Sequence, residues 1–208
     1  TRVRSSAASD VYKRQGWCRA SSSRVSSSAT RKNDVQLHAA QPVTLPEMVM
    51  DLLPRCRFPS EGTPITCAVS GGPDSLALLV LATAAGCSVT AVHVDHGLRP
   101  GSAAEGEIVL AAARRFGAEF RSVRVEISPG PNLEARARAA RFAALPSGVA
   151  TGHTMDDQAE TIVCNLLRGA GPDGMAGMTP GHRHPLLALR RSETWAVCDA
   201  LGLRPVLD

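Results

Sequence analysis

Lysine is almost missing from this 208-residue chain, with Lys13 and Lys32 the only two. A Walker-type phosphate loop, which needs a lysine just after its last glycine, is thereby excluded. The six cysteines (Cys18, Cys56, Cys67, Cys87, Cys164 and Cys198) include no Cys-x-x-Cys pair. That argues against a zinc ribbon, an iron–sulfur site or a disulfide framework, and it fits a reducing cytoplasm. Cys67 and Cys164 fall in apolar runs and read as small core residues. No apolar run approaches the roughly 18 residues of a membrane span, so a soluble protein with no membrane partner is expected. No internal repeat is visible. Length and an apolar content of 44% suit one domain with an ample core.

The formal charge of +4 is unevenly spread. Residues 1–45 hold eight basic and two acidic side chains, whereas residues 46–208 hold fifteen and seventeen. The apparent basicity therefore belongs to the N-terminal stretch. That stretch has nine serines and no apolar periodicity, which predicts a disordered tail. Its Arg- and Ser-rich, acid-poor composition also resembles an organellar transit peptide. Ser9 to Gln15 looks like adaptor-derived, non-native sequence. No function is read into it. Within the body, Arg114, Arg115, Arg121, Arg124, Arg136, Arg138 and Arg141 cluster. The cluster suits a phosphate backbone or, equally, a set of solvated helix faces.

From residue 46 onward apolar strand-like runs alternate with helical periodicity. Helices are expected over 46–53, 75–85, 103–116, 132–145, 155–168 and 191–201, with Asn132 as an N-cap. Strands are expected at 65–70, 88–93, 119–125 and 148–151, and a last one at 203–207. This rhythm means an α/β fold with a doubly wound parallel sheet and helices on both faces, Rossmann-type, over 46–208. Ligands in such sheets bind at the carboxyl ends of the strands, where each motif below falls.

The most informative stretch is Ser70-Gly71-Gly72-Pro73-Asp74-Ser75, which follows the first strand and opens a helix. Strand, glycine turn, helix start presents free backbone N–H groups to a phosphate. Asp74 beside such a cradle would repel a nucleotide unless it held a cation, so Mg²⁺ is expected between them. The second strand ends in His93-Val94-Asp95-His96-Gly97-Leu98-Arg99. Its two imidazoles make no full metal site, and a nucleotide-contacting role for His93 and His96 is preferred.

Gly152-His153-Thr154-Met155-Asp156-Asp157-Gln158-Ala159-Glu160-Thr161 opens the helix of 155–168. Ala159, Ile162, Val163, Leu166 and Leu167 form an apolar stripe expected to pack inward. Asp157, Glu160, Thr161 and Arg168 share the opposite side. Thr154 with Asp157 three residues on has the spacing of a capping box, and Asp156 would favour the helix dipole. A cap leaves His153 and Glu160 unexplained. Paired carboxylates suit a substrate ammonium, a metal, or proton removal from an amine. Glu134 and Arg138 stand at i,i+4 and suit a surface ion pair. Arg141 has no such partner and is the better phosphate ligand.

Taken together, these motifs with Leu166-Leu167-Arg168-Gly169-x-Gly171 and Gly177-Met178 resemble the bacterial tRNA(Ile)-lysidine synthetases of the PP-loop ATP pyrophosphatase superfamily. The resemblance covers residues 65–208. It implies an adenine nucleotide alpha hydrolase-like domain that uses ATP and Mg²⁺. ATP would adenylate the C2 oxygen of the wobble cytidine of a tRNA(Ile) with a CAU anticodon. Free L-lysine would then displace AMP. It further implies that Ser70 to Ser75 hold the nucleotide and that Asp74 holds the metal. Asp157 and Glu160 would receive lysine beside His153, and Arg99, Arg138, Arg141 and Arg168 would face substrate or tRNA. The setting is cytoplasmic, and a homodimer is compatible with it. Two departures stand out. His184 replaces the arginine usual before Pro185-Leu186-Leu187, with Arg183 one residue off register. The chain also ends at Asp208, where the family continues, so it is expected to be a fragment. A tRNA cytidine thiolase, needing cysteine pairs, and an inactive nucleotide-binding module are the alternative readings.

Overall fold

The computed structural model describes residues 44–95, 102–125, 131, 133–171 and 175–206. The N-terminal tail, the expected Asn132 cap, His96 and Arg99 lie outside the described residues.

Three strands form one parallel sheet in the order β1-β2-β3, with helices on both sides. They are β1 (Pro64–Ala68), β2 (Ser88–Asp95) and β3 (Glu119–Arg124). Among the described residues six α-helices accompany them: α1 (Glu47–Leu52), α2 (Pro73–Ala84), α3 (Ser102–Phe116), α4 (Leu133–Ala144), α5 (Met155–Leu167) and α6 (Arg191–Ala200). Each parallel pairing needs a crossover, and α2 and α3 provide the two. The strand expected at 148–151 is reduced to a single parallel bridge, Cys67 to Ala150, beside β1. The strand expected at 203–207 does not form among its described residues, 203–206. Its Val206 N–H donates instead to the Gly71 carbonyl, 2.9 Å away, which ties the end of the described chain to the glycine turn. Pro205 next to it cannot donate to a ladder.

The core is centred on α2. Leu76, Leu78, Leu79, Val80 and Leu81 are all fully buried. A helix apolar all round must be covered all round. Sheet strands β1 and β2 lie on one side of α2, with α3 and α6 also against it. Each such side chain contributes about 2 kcal/mol of burial. This central position fixes the start of α2, and with it Asp74, against the carboxyl ends of the strands. β3 is largely exposed and carries Arg121 and Arg124, charges that blunt an edge strand.

Two expectations about the core are corrected. The apolar stripe of α5 does not pack inward. Val163, Leu166 and Leu167 are 53%, 50% and 82% exposed, and α5 has no buried residue. Periodicity gives a helix an apolar side, but a covering element must be present to bury it, and among the described residues none covers this one. Cys164, on the same helix, is exposed for the same reason, whereas Cys67 is buried as expected. The arginine cluster is also partly committed within the fold. Arg115 donates to the Leu201 carbonyl at 2.6 Å and lies over the Phe116 ring.

Candidate active site

A cleft of about 390 Å³ opens at the carboxyl ends of β1 and β2. The glycine turn forms its floor through Ser70, Gly72, Pro73, Asp74 and Ser75, and His93, Arg141, His153 and Asp157 contribute to its walls. Residues far apart in sequence are thus brought to one cleft. Glu160 and Arg168 do not line it. Arg168 caps the far end of α5, about 20 Å along the helix from its first residue. Arg138 belongs to α4, and its side chain lies outside the described structure.

The turn is organised by one hydroxyl. Ser75 Oγ accepts from the N–H groups of Ser70 and Gly71, each at 3.2 Å, and donates to the Gly72 carbonyl at 2.8 Å. Gly71 has φ +97°, a conformation that other residues rarely adopt. Pro73 sits in the first turn of α2, where its missing N–H costs no bond.

Asp74 follows at the positive end of the α2 dipole. Its Oδ1 accepts a short hydrogen bond from the Thr194 hydroxyl of α6. Burial lifts its carboxyl above the usual range. The Thr194 bond and Arg191 oppose that rise, and the neighbouring charges of Asp157 and Asp156 add to it. A half-buried hard oxygen ligand crowded by two other carboxylates fits Mg²⁺. That ion usually takes one or two carboxylates plus substrate phosphates rather than a full protein cage. Among the described residues no group of three or more His, Cys, Asp or Glu side chains is placed to hold a metal ion.

The first turn of α5 carries the capping box, and Asp157 also borders the cleft. Asp157 Oδ2 accepts from the Thr154 backbone N–H at 2.7 Å and from the Thr154 hydroxyl at 2.8 Å. Burial alone would raise Asp157, but these two bonds and Arg191 prevail and hold it below the usual carboxylate range. Its other oxygen, Oδ1, accepts from Arg191 Nη2 at 3.0 Å. Asp156 stands in the first turn of α5, as its expected dipole role requires, and has a second role. Its Oδ2 accepts the Arg191 backbone N–H at 2.8 Å, so it caps α6 rather than only α5. Gln158 holds the Gly177-Met178 turn through two bonds to the Met178 backbone, at 2.9 and 2.7 Å.

His93 is buried, and its Nδ1 lies 3.0 Å from the Val69 carbonyl. A carbonyl only accepts, so Nδ1 carries a proton, and in a neutral ring Nε2 is then an acceptor. Nε2 finds no partner among the described residues. His153 and His184 meet at Thr151, whose Oγ1 lies 2.7 Å from one Nδ1 and 3.0 Å from the other. Burial, then the nearby His153 and Arg183, push His184 down to about 4 from 6.5. The unfolded chain therefore takes up this proton first. The stability that neutral His184 contributes is intact above about pH 6.5 and lost as pH falls toward 4. The melting temperature of the His184→Gln variant is accordingly expected to fall less steeply between pH 6.5 and 4.5 than that of the parent. Parallel curves in differential scanning calorimetry would assign the acid sensitivity elsewhere.

Arg191 and Thr194 were not singled out from the sequence. Their only local signal is a position at the start of α6. Nothing in that segment says that it meets Asp74 and Asp157, 117 and 34 positions earlier.

The sheet, the lysine-free phosphate turn and the carboxylate at the α2 start define a nucleotide-binding α/β domain. Residues 47–208 match the PP-loop domain family, and the chain belongs to that family. It is 45% identical over 160 residues to a tRNA(Ile)-lysidine synthase of Nocardia farcinica, covering 73% of this chain and 50% of that protein. A second tRNA(Ile)-lysidine synthase, from Novosphingobium aromaticivorans, is 44% identical over 160 residues, covering 68% and 49%. The chain thus spans about half the length of the curated relatives it matches. Among solved structures, the U34-tRNA thiolase NcsA from Methanococcus maripaludis, determined with its [4Fe-4S] cluster, superposes with a TM-score of 0.60. Identity is 16%, covering 77% of this chain and 65% of that one, a likeness of fold. Among the described residues no helix is long and apolar enough to cross a membrane.

Proposed function

We propose that this chain carries the catalytic domain of a tRNA(Ile)-lysidine synthase acting in the cytoplasm. ATP, a tRNA(Ile) with a CAU anticodon and free L-lysine are its substrates. The observation that carries the reading is the convergence of Asp74, His153 and Asp157 on one cleft beside the phosphate turn. In the first step the C2 oxygen of the wobble cytidine attacks the α-phosphorus of ATP, and pyrophosphate leaves. In the second, a lysine nitrogen attacks C2, AMP leaves, and the nitrogen loses a proton to a base.

The residues suit those needs. The Gly71 N–H is engaged by Ser75, which leaves Gly72 and the first turn of α2 as the cradle for the leaving pyrophosphate. Asp74 would hold Mg²⁺, which neutralises charge on the phosphates when bound. His93 presents its Nε2 as an acceptor for a nucleotide donor group, and Arg141 presents a guanidinium to phosphate. Asp157, held ionised, attracts the lysine ammonium, and His153 stands on the same cleft as a proton acceptor.

The test is a lysine titration of the full-length protein at saturating ATP and tRNA. Glu160→Gln is expected to raise the apparent KM for lysine several-fold while ATP binding changes little. Glu160 lies beyond the first turn of α5, so a purely capping role for this helix start predicts no change. An unchanged KM would remove the amine from this helix.

A further inference from the structure

One nitrogen of this chain already sits where the substrate amine is expected. Arg191 Nη2 lies 3.0 Å from Asp157 Oδ1 and 3.1 Å from Glu160 Oε1. The same side chain places its Nε 3.9 Å from Asp74 Oδ2. A single cationic nitrogen bridging two carboxylate oxygens is the arrangement that a primary ammonium would adopt between them. We propose that Arg191 is a placeholder cation, which occupies the Asp157–Glu160 pair until the substrate amine displaces it. The inference rests on the reading that these two carboxylates receive lysine.

Three physical features support it. A guanidinium stays protonated in proteins, so Arg191 can hold the site but cannot react as the nucleophile. The contact is also releasable. Glu160 is 62% exposed and the Arg191 side chain 41%, so water and salt screen the pair and make it weak. The anchor of Arg191 is, by contrast, independent of its side chain. Its backbone N–H remains on Asp156, and α6 stays in place, whichever way the guanidinium turns. Without the placeholder, Asp74 and Asp157, which both border the cleft, would lose the cation they share.

The placeholder predicts a direction that a positioning or structural role does not. Arg191→Gln removes the competitor and leaves the carboxylates more negative, and both effects favour an incoming ammonium. The apparent KM for lysine is expected to fall roughly two- to fivefold, the scale of losing a partly exposed ion pair. A rise, or no change, would overturn the placeholder, because a guanidinium that orients Asp157 and Glu160 for lysine must weaken lysine use when it is lost. Arg191→Lys retains one charge without the planar fork and is expected to give a smaller fall. It carries the test if the glutamine variant melts too low to assay. In the Glu160→Gln background the effect of Arg191→Gln is expected to shrink, since the two residues share one contact. Strict additivity would count against the proposal. The underlying reading is judged separately. An unchanged KM in Glu160→Gln alone removes the amine site and the placeholder with it. A raised KM there, with no fall in Arg191→Gln, removes only the placeholder.

Discussion

Asp74→Asn is expected to abolish pyrophosphate release in the full-length protein while leaving its melting temperature unchanged or raised. The two halves of this outcome have different causes. An asparagine keeps an oxygen that can accept the Thr194 hydroxyl, so the contact between α2 and α6 survives. Asp74 is raised in the folded protein, chiefly by burial, so its ionised form costs folding free energy at neutral pH. Removing that charge relieves the cost. A metal-holding carboxylate, however, contributes several kcal/mol to a phosphoryl-transfer transition state, and losing about 4 kcal/mol slows the reaction on the order of a thousandfold. Pyrophosphate release and calorimetry on the same preparation separate the two effects. Most of the activity retained would show that Asp74 does not hold the cation. A melting temperature several degrees lower would show that its charge is structural.

The second large effect is expected at Gly152, where the loop after the β1-side bridge passes over the start of α2. A Cβ built there would lie 2.6 Å from the Asp74 carbonyl oxygen, 2.8 Å from its carbonyl carbon and 3.1 Å from the Ser75 nitrogen. All three are backbone atoms in the first turn of the buried helix, so no side chain can turn away. The loop bearing His153 must lift off the phosphate turn instead. Gly152→Ala is therefore expected to destabilise by about 2 kcal/mol, in the range of overpacked cores. For a chain of this size that lowers the melting temperature by about 4–8 °C. ATP binding, measured by calorimetric titration, should weaken with it, because the same shift widens the cleft. Gly171→Ala is the control. A Cβ there meets nothing within 4 Å, and its melting temperature should match the parent. Equal melting temperatures for the two variants would mean that the close approach at Gly152 relaxes without cost.

Much of this architecture was legible before any coordinates. The phosphate turn could be read because its parts are contiguous. A strand, two glycines, a proline and a carboxylate within a dozen residues specify backbone conformation and charge locally. The helices of α2, α3, α5 and α6 followed from periodicity and fall close to their expected bounds. Periodicity failed where it was asked for more than a period. The stripe Ala159, Ile162, Val163, Leu166 and Leu167 shows that α5 has an apolar side, but burial depends on a neighbour that no spacing encodes. The strand expected at 148–151 collapsed to one bridge, since extended propensity does not supply a partner for each residue.

The sequence by itself therefore determined the elements, their alternation and the chemistry of the phosphate turn, because each of these is written in residues close enough to interact along the chain. The tertiary structure decided which charges share a site. It set Arg191 between Asp157 and Glu160, turned Asp156 to the start of α6, and closed Thr194 onto Asp74. It also joined His153 to His184 through Thr151. Those contacts link segments about 30 to 120 positions apart. They exist only because a helix buried on all sides and a parallel sheet bring the carboxyl ends of the strands to one edge, and local propensity carries no record of that edge.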